Sequence, residues 1–291
     1  MKKSTQVICF ACFLLGVPAS LFADRAHDLA KLAAKQRAVT GCNPGSLNTQ
    51  SCHAQFPTGC TESAHLYDAY LNFLKNQVPG PTLPSTALLD RAAFQSLESK
   101  IPKRLGSSNH ARSAPALAGL GEGNIVTVIA YLYFVEDTGK GAGGNPSIGE
   151  TTNCKLQLPD SYDYHIGLGF DSALAKQILK TKPQPIFDQP VEMDKTSVVA
   201  EMTPHTRGPK RTFARVNSLQ GQQVKVVGQL MIDNVHLNKK DDCSFPGALA
   251  SCWRSTVWEV HPVTQFYVCN LSAGCDKDSP DSAWTSLDDV P

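Results

Sequence analysis

Apolar and polar residues alternate through residues 221–233, Gly-Gln-Gln-Val-Lys-Val-Val-Gly-Gln-Leu-Met-Ile-Asp, and a period of two is the mark of a half-buried strand. Val224, Val226, Gly228, Leu230 and Ile232 share one face. Lys225, Val227, Gln229, Met231 and Asp233 share the other. Gly228 allows the bend that a small closed barrel needs. Residues 258–269 supply a second strand after a polar loop, placed to pair with the first. Upstream, residues 125–135 form strand throughout, and residues 154–158, 162–170 and 197–203 are extended. Residues 174–180 and 212–219 predict short helices.

The first hundred residues follow a different period. Residues 24–39 predict an amphipathic helix with Ala26, Leu29 and Leu32 inward. A cysteine loop over residues 41–60 follows, and Thr61 then caps a helix. In that helix Tyr67, Tyr70, Leu71 and Leu74 recur at i, i+3, i+4 and i+7, a stripe better suited to helix packing than to lining a groove. Pro79-Gly80-Pro81 ends it, and Ser85 opens another with Leu89, Ala93 and Leu97 inward. Residues 24–104 thus predict a helical, cysteine-containing unit. Residues 105–123 have the Ser, Gly, Asn, Ala and Pro of a linker, and the Asp-rich residues 272–291 read as a disordered acidic tail apart from Cys275. Between them, residues 124–271 give strand–strand–strand–helix–strand–strand, the order of an oligonucleotide/oligosaccharide-binding (OB) barrel. The expected class is α+β: a small helical unit followed by an OB-like closed antiparallel β-barrel.

Composition adds the compartment. Lys2 and Lys3 precede an apolar run, residues 7–17, and small residues lead to Ala23, the three-part pattern of a secretory signal peptide over residues 1–23, with Ala19 as a second cleavage point. The run is too short to span a bilayer, and no membrane span is expected after cleavage. The whole chain has 27 Lys and Arg against 26 Asp and Glu; losing Lys2 and Lys3 leaves 25 − 26 = −1. A near-neutral chain is not expected to bind duplex nucleic acid in bulk. Of ten cysteines, cleavage leaves Cys42, Cys52, Cys60, Cys154, Cys243, Cys252, Cys269 and Cys275, an even set that predicts disulfides in a secreted or periplasmic protein. Three lie before the linker and five after it, so full pairing requires an odd number of bridges between the two parts. The expected pairs are Cys243–Cys252, Cys154–Cys269 and Cys275 with one of Cys42, Cys52 or Cys60.

Candidate chemistry lies in four acid–histidine couples: Asp163/His165, Glu201/His205, Asp233/His236 and Glu259/His261. Strand parity puts Asp163 with His165, and Glu259 with His261, on common faces. Imidazole next to carboxylate suits a general base or a divalent metal, so Asp163, His165, Glu201, His205, Glu259 and His261 are candidate catalytic residues and His165, His205 and His261 candidate metal ligands. The same residues equally suit the wet face of antiparallel strands, and no spaced motif such as His-Glu-x-x-His is present. The glycines at 139, 141, 143, 144 and 149 read as a hairpin loop, since no Gly-Lys-Ser/Thr and no helix follows them. Arg207, Lys210, Arg211 and Arg215 offer anion contacts, and Trp258 an aromatic one.

The series Asn153-Cys154, Asp163-x-His165-Ile166, Glu201-Met-Thr-Pro-His205-x-Arg207, Gly221-x-x-Val-x-Val-x-Gly228 and Trp258-Glu-Val-His-Pro-Val263 resembles a family of exported bacterial OB-like domains over about half of the chain. The resemblance implies fold and export and brings no reaction with it. The expected function is an exported OB module for a small-molecule or oligomeric ligand, of the nucleotide, oligonucleotide or saccharide class. The alternative is a metal-assisted hydrolase or phosphodiesterase built on the acid–histidine couples.

Overall fold

The computed structural model describes residues 52, 59–60, 66–77, 87–106, 109–137, 150–157, 161–182 and 192–289. The expected signal peptide, the helix at 24–39, most of the cysteine loop, the glycine-rich loop and the proline insert at 183–190 lie outside the described residues. The described elements are α1 (Leu66–Lys75), β1 (Ala87–Leu89), α2 (Arg91–Glu98), α3 (His110–Gly119), β2 (Ile125–Asp137), β3 (Tyr164–Gly169), α4 (Ser172–Thr181), α5 (Glu192–Lys195), β4 (Val198–Met202), α6 (Phe213–Asn217), β5 (Gln223–Ile232), β6 (Trp258–Cys269) and β7 (Trp284–Ser286). None of the helices is long and apolar enough to cross a membrane.

Five strands close into a barrel in the order β2-β3-β4-β6-β5, with the first half of β2 returning to β5 and its second half pairing β3. Closure is mixed rather than antiparallel, because β4 meets β6 in parallel through Ala200 and Val260. The reason is topological. The connection through α6 and β5 brings the chain back so that β6 enters between β4 and β5 with the direction of β4. Parity places the barrel core as the alternation requires: Val224, Val226, Leu230 and Ile232 of β5 pack with Ile166, Ala200, Trp258, Val260 and Phe266. At Gly228 strand β5 runs close against β6. A Cβ there would collide with the Pro262 carbonyl oxygen and Val260 Cγ1, and the β5–β6 register shifts at this point.

The segments around the barrel differ from expectation in four places. Residues 105–123 are no linker but contain α3, whose His110 is fully buried. Asn234 donates through Nδ2 to the Gly106 carbonyl and so turns Oδ1 to His110 Nδ1 at 2.6 Å, while His110 Nε2 meets Glu122 Oε1 at 2.8 Å. Both ring nitrogens therefore donate, and although burial opposes it, Glu122 holds the His110 imidazolium above the usual histidine range. Small residues let this helix pack tightly: Ala114 and Ala118 meet Tyr70, Leu71, Leu74 and Met231, so Tyr70, Leu71 and Leu74 of the α1 stripe are packing core.

Second, Leu89 lies in β1, which pairs β2 in parallel, and Asp90 caps α2 by accepting from Ala93 N; Phe94 is the side chain α2 buries. Third, residues 154–157 form no strand, since a 3-10 turn at Thr151–Asn153 puts Cys154 in the left-handed region. Fourth, the acidic tail is ordered. β7 pairs β6, and Asp288 accepts from Arg211 Nε at 3.0 Å and Nη2 at 2.7 Å.

Disulfides correct two of the expected pairs. Cys243–Cys252 is formed, but Cys154 bonds Cys52 and Cys269 bonds Cys275. Cys154 sits on the turn that receives Cys60 N at the Thr151 carbonyl, beside Cys52 and away from β6. Cys275 is brought back to the end of β6 by a turn through Gly274 and by Gln223, which bonds its backbone on both sides. Cys60 is also disulfide-bonded, with a partner outside the described residues. The Cys52–Cys154 bridge does join the chain before the barrel to the barrel. Closing a loop of that size contributes about 4–5 kcal/mol in the chain-entropy account.

Candidate functional site

The acid–histidine residues converge on the outer face of the barrel wall made by β3, β4, β6 and β5. Because Tyr164, Ile166, Ala200, Met202, Trp258 and Val260 point into the core, Asp163, His165, Glu201, Glu259 and His261 point outward. Asp163, Glu201, Glu259 and His261 are buried and His165 is nearly so, with α1 and the 233–257 loop lying over them. His261 is the hub. Its Nδ1 lies 3.1 Å from Glu201 Oε2 and 3.2 Å from Glu259 Oε1. Its Nε2 lies 2.7 Å from Thr203 Oγ1 and 3.7 Å from Asp163 Oδ2. Thr203 spends its own proton on the Lys75 carbonyl, so it accepts from His261, and the ring donates from both nitrogens. Burial opposes that charge, but Glu201, Glu259 and Asp163 push the His261 pKa up to about 10.

Around this hub, cations and carboxylates alternate. His165 Nε2 is 3.1 Å from Glu201 Oε1; burial works against its charge and Glu201 raises its pKa to about 9. Lys75, from the end of α1, reaches Asp233 Oδ2 at 2.8 Å. Burial opposes the ammonium, yet Asp233, Glu201 and Glu259 hold it well above the lysine range. Arg254, fully buried, donates to Glu259 Oε2 at 2.6 Å and lies with Cζ 4.9 Å from the Trp253 ring. Burial would raise Glu201 and Asp233, but their cationic neighbours keep both carboxyls below the usual range. Asp163 differs: burial, and then Glu150, lift it to about 7.

Two subsets have the donor spacing of a metal site. One oxygen or nitrogen each from Asp163, Glu201 and His261, or from Glu201, Asp233 and Glu259, lie within 4.8 Å of one another. Lys75, Arg254, His165 and His261 pair with the same carboxylates, and an imidazole that is protonated has no lone pair to give a metal. The OB fold offers ligands the outer face of its second and third strands with the loops after strands one and four. Here those strands are β3 and β4, and the loop after strand four is 233–257. The chain has filled that face with its own charges.

Other expected site residues lie elsewhere. His205 is exposed on the turn after β4 and does not join the cluster. Arg207 donates Nη1 to the Tyr162 and Met202 carbonyls and lies 3.7 Å over the Tyr164 ring. Arg211 is engaged by Asp288, Trp258 is fully buried in the core, and Lys210 is exposed. Lys75, Thr203 and Arg254 are the residues that sequence reasoning missed. Two of them sit on elements with no period in common with the strands, and nothing in a lone Lys or Arg marks it as buried.

A separate cleft of about 830 Å³ opens between α2, the start of β4 and the 233–257 loop. Phe94, Ile101, Leu105, Phe170, Leu237 and Phe245 give it an apolar body, and Arg91, Lys103 and Lys195 add charge. Cys243 lines it too, so the Cys243–Cys252 bridge fixes one wall. No family model, curated protein or solved structure matches the chain.

Proposed function

We propose that this is an exported, non-catalytic binding module of the OB type that holds a small molecule in the cleft beside α2. The observation that carries this reading is the cleft: its 830 Å³ falls in the range of small-molecule sites, about 300–1,000 Å³, and its lining is mainly apolar with a few polar groups. Export is supported by the Lys2/Lys3 leader pattern together with the disulfides. The hydrolase alternative draws on Asp163, Glu201 and His261, but acid–base work needs a substrate within hydrogen-bond reach, and all three are buried.

The test uses the full exported chain, purified without a histidine tag. N-phenyl-1-naphthylamine, a neutral apolar dye, is titrated and its fluorescence followed. Saturable binding that Gln95→Trp, a cleft-lining exposed position, weakens at least tenfold is the expected result. Absence of binding overturns the reading. So does metal-dependent hydrolysis of bis(p-nitrophenyl) phosphate that His261→Gln abolishes.

A further inference from the structure

The cleft has a charge asymmetry that narrows its ligand. Three cations line it, Arg91, Lys103 and Lys195, against one carboxylate, Glu98. Glu98 is already engaged within the chain. It accepts from Thr256 Oγ1 at 2.6 Å and from Val257 N at 3.4 Å, and burial raises its pKa toward the neutral form. Lys195 shares an exposed ion pair with Glu192 at 3.3 Å, a contact that water and salt weaken readily. Arg91 and Lys103 are exposed and form no ion pair with any described residue. An apolar body with a positive mouth is complementary to a molecule with an apolar body and one negative end.

We infer that the cleft selects a free straight-chain monocarboxylic acid, its chain on Phe94, Phe170 and Phe245 and its carboxylate at Arg91, with Lys103 beside it. This rests on the ligand-binding reading above. A carboxylate matches the two parallel N–H groups of one guanidinium, and a single Arg provides one such fork. A nucleotide fits less well. It carries more charge than one Arg and two flexible Lys match, and the described lining holds no glycine loop or row of backbone N–H groups for phosphates.

Displacement of N-phenyl-1-naphthylamine tests this below the micellar concentrations of the competitors. Dodecanoate should displace the dye at least tenfold more tightly than dodecanol. Affinity should rise roughly two- to fourfold per added methylene from octanoate to dodecanoate. Arg91→Gln should remove most of the preference for dodecanoate, read as the ratio of dodecanoate to dodecanol displacement within each variant, and Lys103→Gln should reduce it less. Equal displacement by dodecanoate and dodecanol, or a preference untouched by Arg91→Gln and by the Arg91→Gln/Lys103→Gln pair, overturns the inference and leaves the cleft reading standing. Tighter displacement by dodecyl phosphate replaces the carboxylate with a phosphate head and overturns it equally. If the dye itself does not bind, the binding reading fails first. Circular dichroism of each variant separates loss of fold from loss of affinity.

Discussion

Two charged regions lie on opposite terms with water. Under α1, Lys75, His165, Arg254 and His261 face Asp163, Glu201, Asp233 and Glu259, and the set is nearly or wholly buried. In the cleft beside α2, Arg91 and Lys103 are exposed, and the single carboxylate is engaged elsewhere. Charges taken out of water must be matched within the chain, and the first region pairs its cations with its carboxylates. Charges left at a rim cost little unmatched, so the second region keeps its capacity for a ligand. The binding reading therefore rests on spare capacity rather than on richness in catalytic residue types.

The largest effect should come from breaking the match. Glu259→Gln strands Arg254 without its partner in a dry site, and we expect a loss of about 3–5 kcal/mol in urea unfolding. Replacing both, Arg254→Met with Glu259→Leu, should recover most of that loss. A double variant as weak as the single would mean that packing, not the unmatched charge, sets the cost.

Next comes pH. His165 and His261, raised to about 9 and about 10, keep protons in the fold that the unfolded chain sheds above about 6.5. Their stabilisation is complete below about pH 6.5 and declines as the pH rises through their folded values. Asp163, raised to about 7, adds a decline between about pH 4 and 7, because the fold binds its proton more tightly than the unfolded chain does. Glu201 and Asp233 are lowered and act the other way, so their stabilisation is present above about pH 4.5 and lost in acid. The urea midpoint should fall from pH 5 to pH 10, and His261→Gln should flatten its alkaline side. A profile rising over that interval would contradict the doubly donating ring.

Smaller effects mark the surface. Arg211 holds Asp288 below the ordinary carboxylate range, but Asp288 is 40 % exposed, so Asp288→Asn should cost about 1 kcal/mol or less by thermal unfolding. Smallest of all, Arg91→Gln should change stability by under about 0.5 kcal/mol. A large loss there would show that the cleft rim, like the wall under α1, is committed to structure.

The barrel was legible because its strands alternate. The limits of β6, the parity of β5 and the common faces on β3 and β6 follow from a period of two, and the short helix expected over residues 212–219 contains α6. Composition misled where packing overruled it. Ser, Ala, Gly and Pro suggested a linker at residues 105–123, yet small residues are also what a close helix contact needs, and Pro115 sits within α3. Asp-rich composition hid a tail that one disulfide and one arginine hold in place.

What the sequence by itself determined, then, is the alternation that fixes which side chains leave the core and the acid–histidine pairs that share a strand face. Tertiary structure alone decided what meets them there. Lys75 arrives on a helix about 90 residues before His165, and Arg254 arrives on a loop, because long-range burial must gather opposite charges from wherever the fold can supply them. No local period encodes that requirement, and it alone separates a closed ionic cluster from an open site.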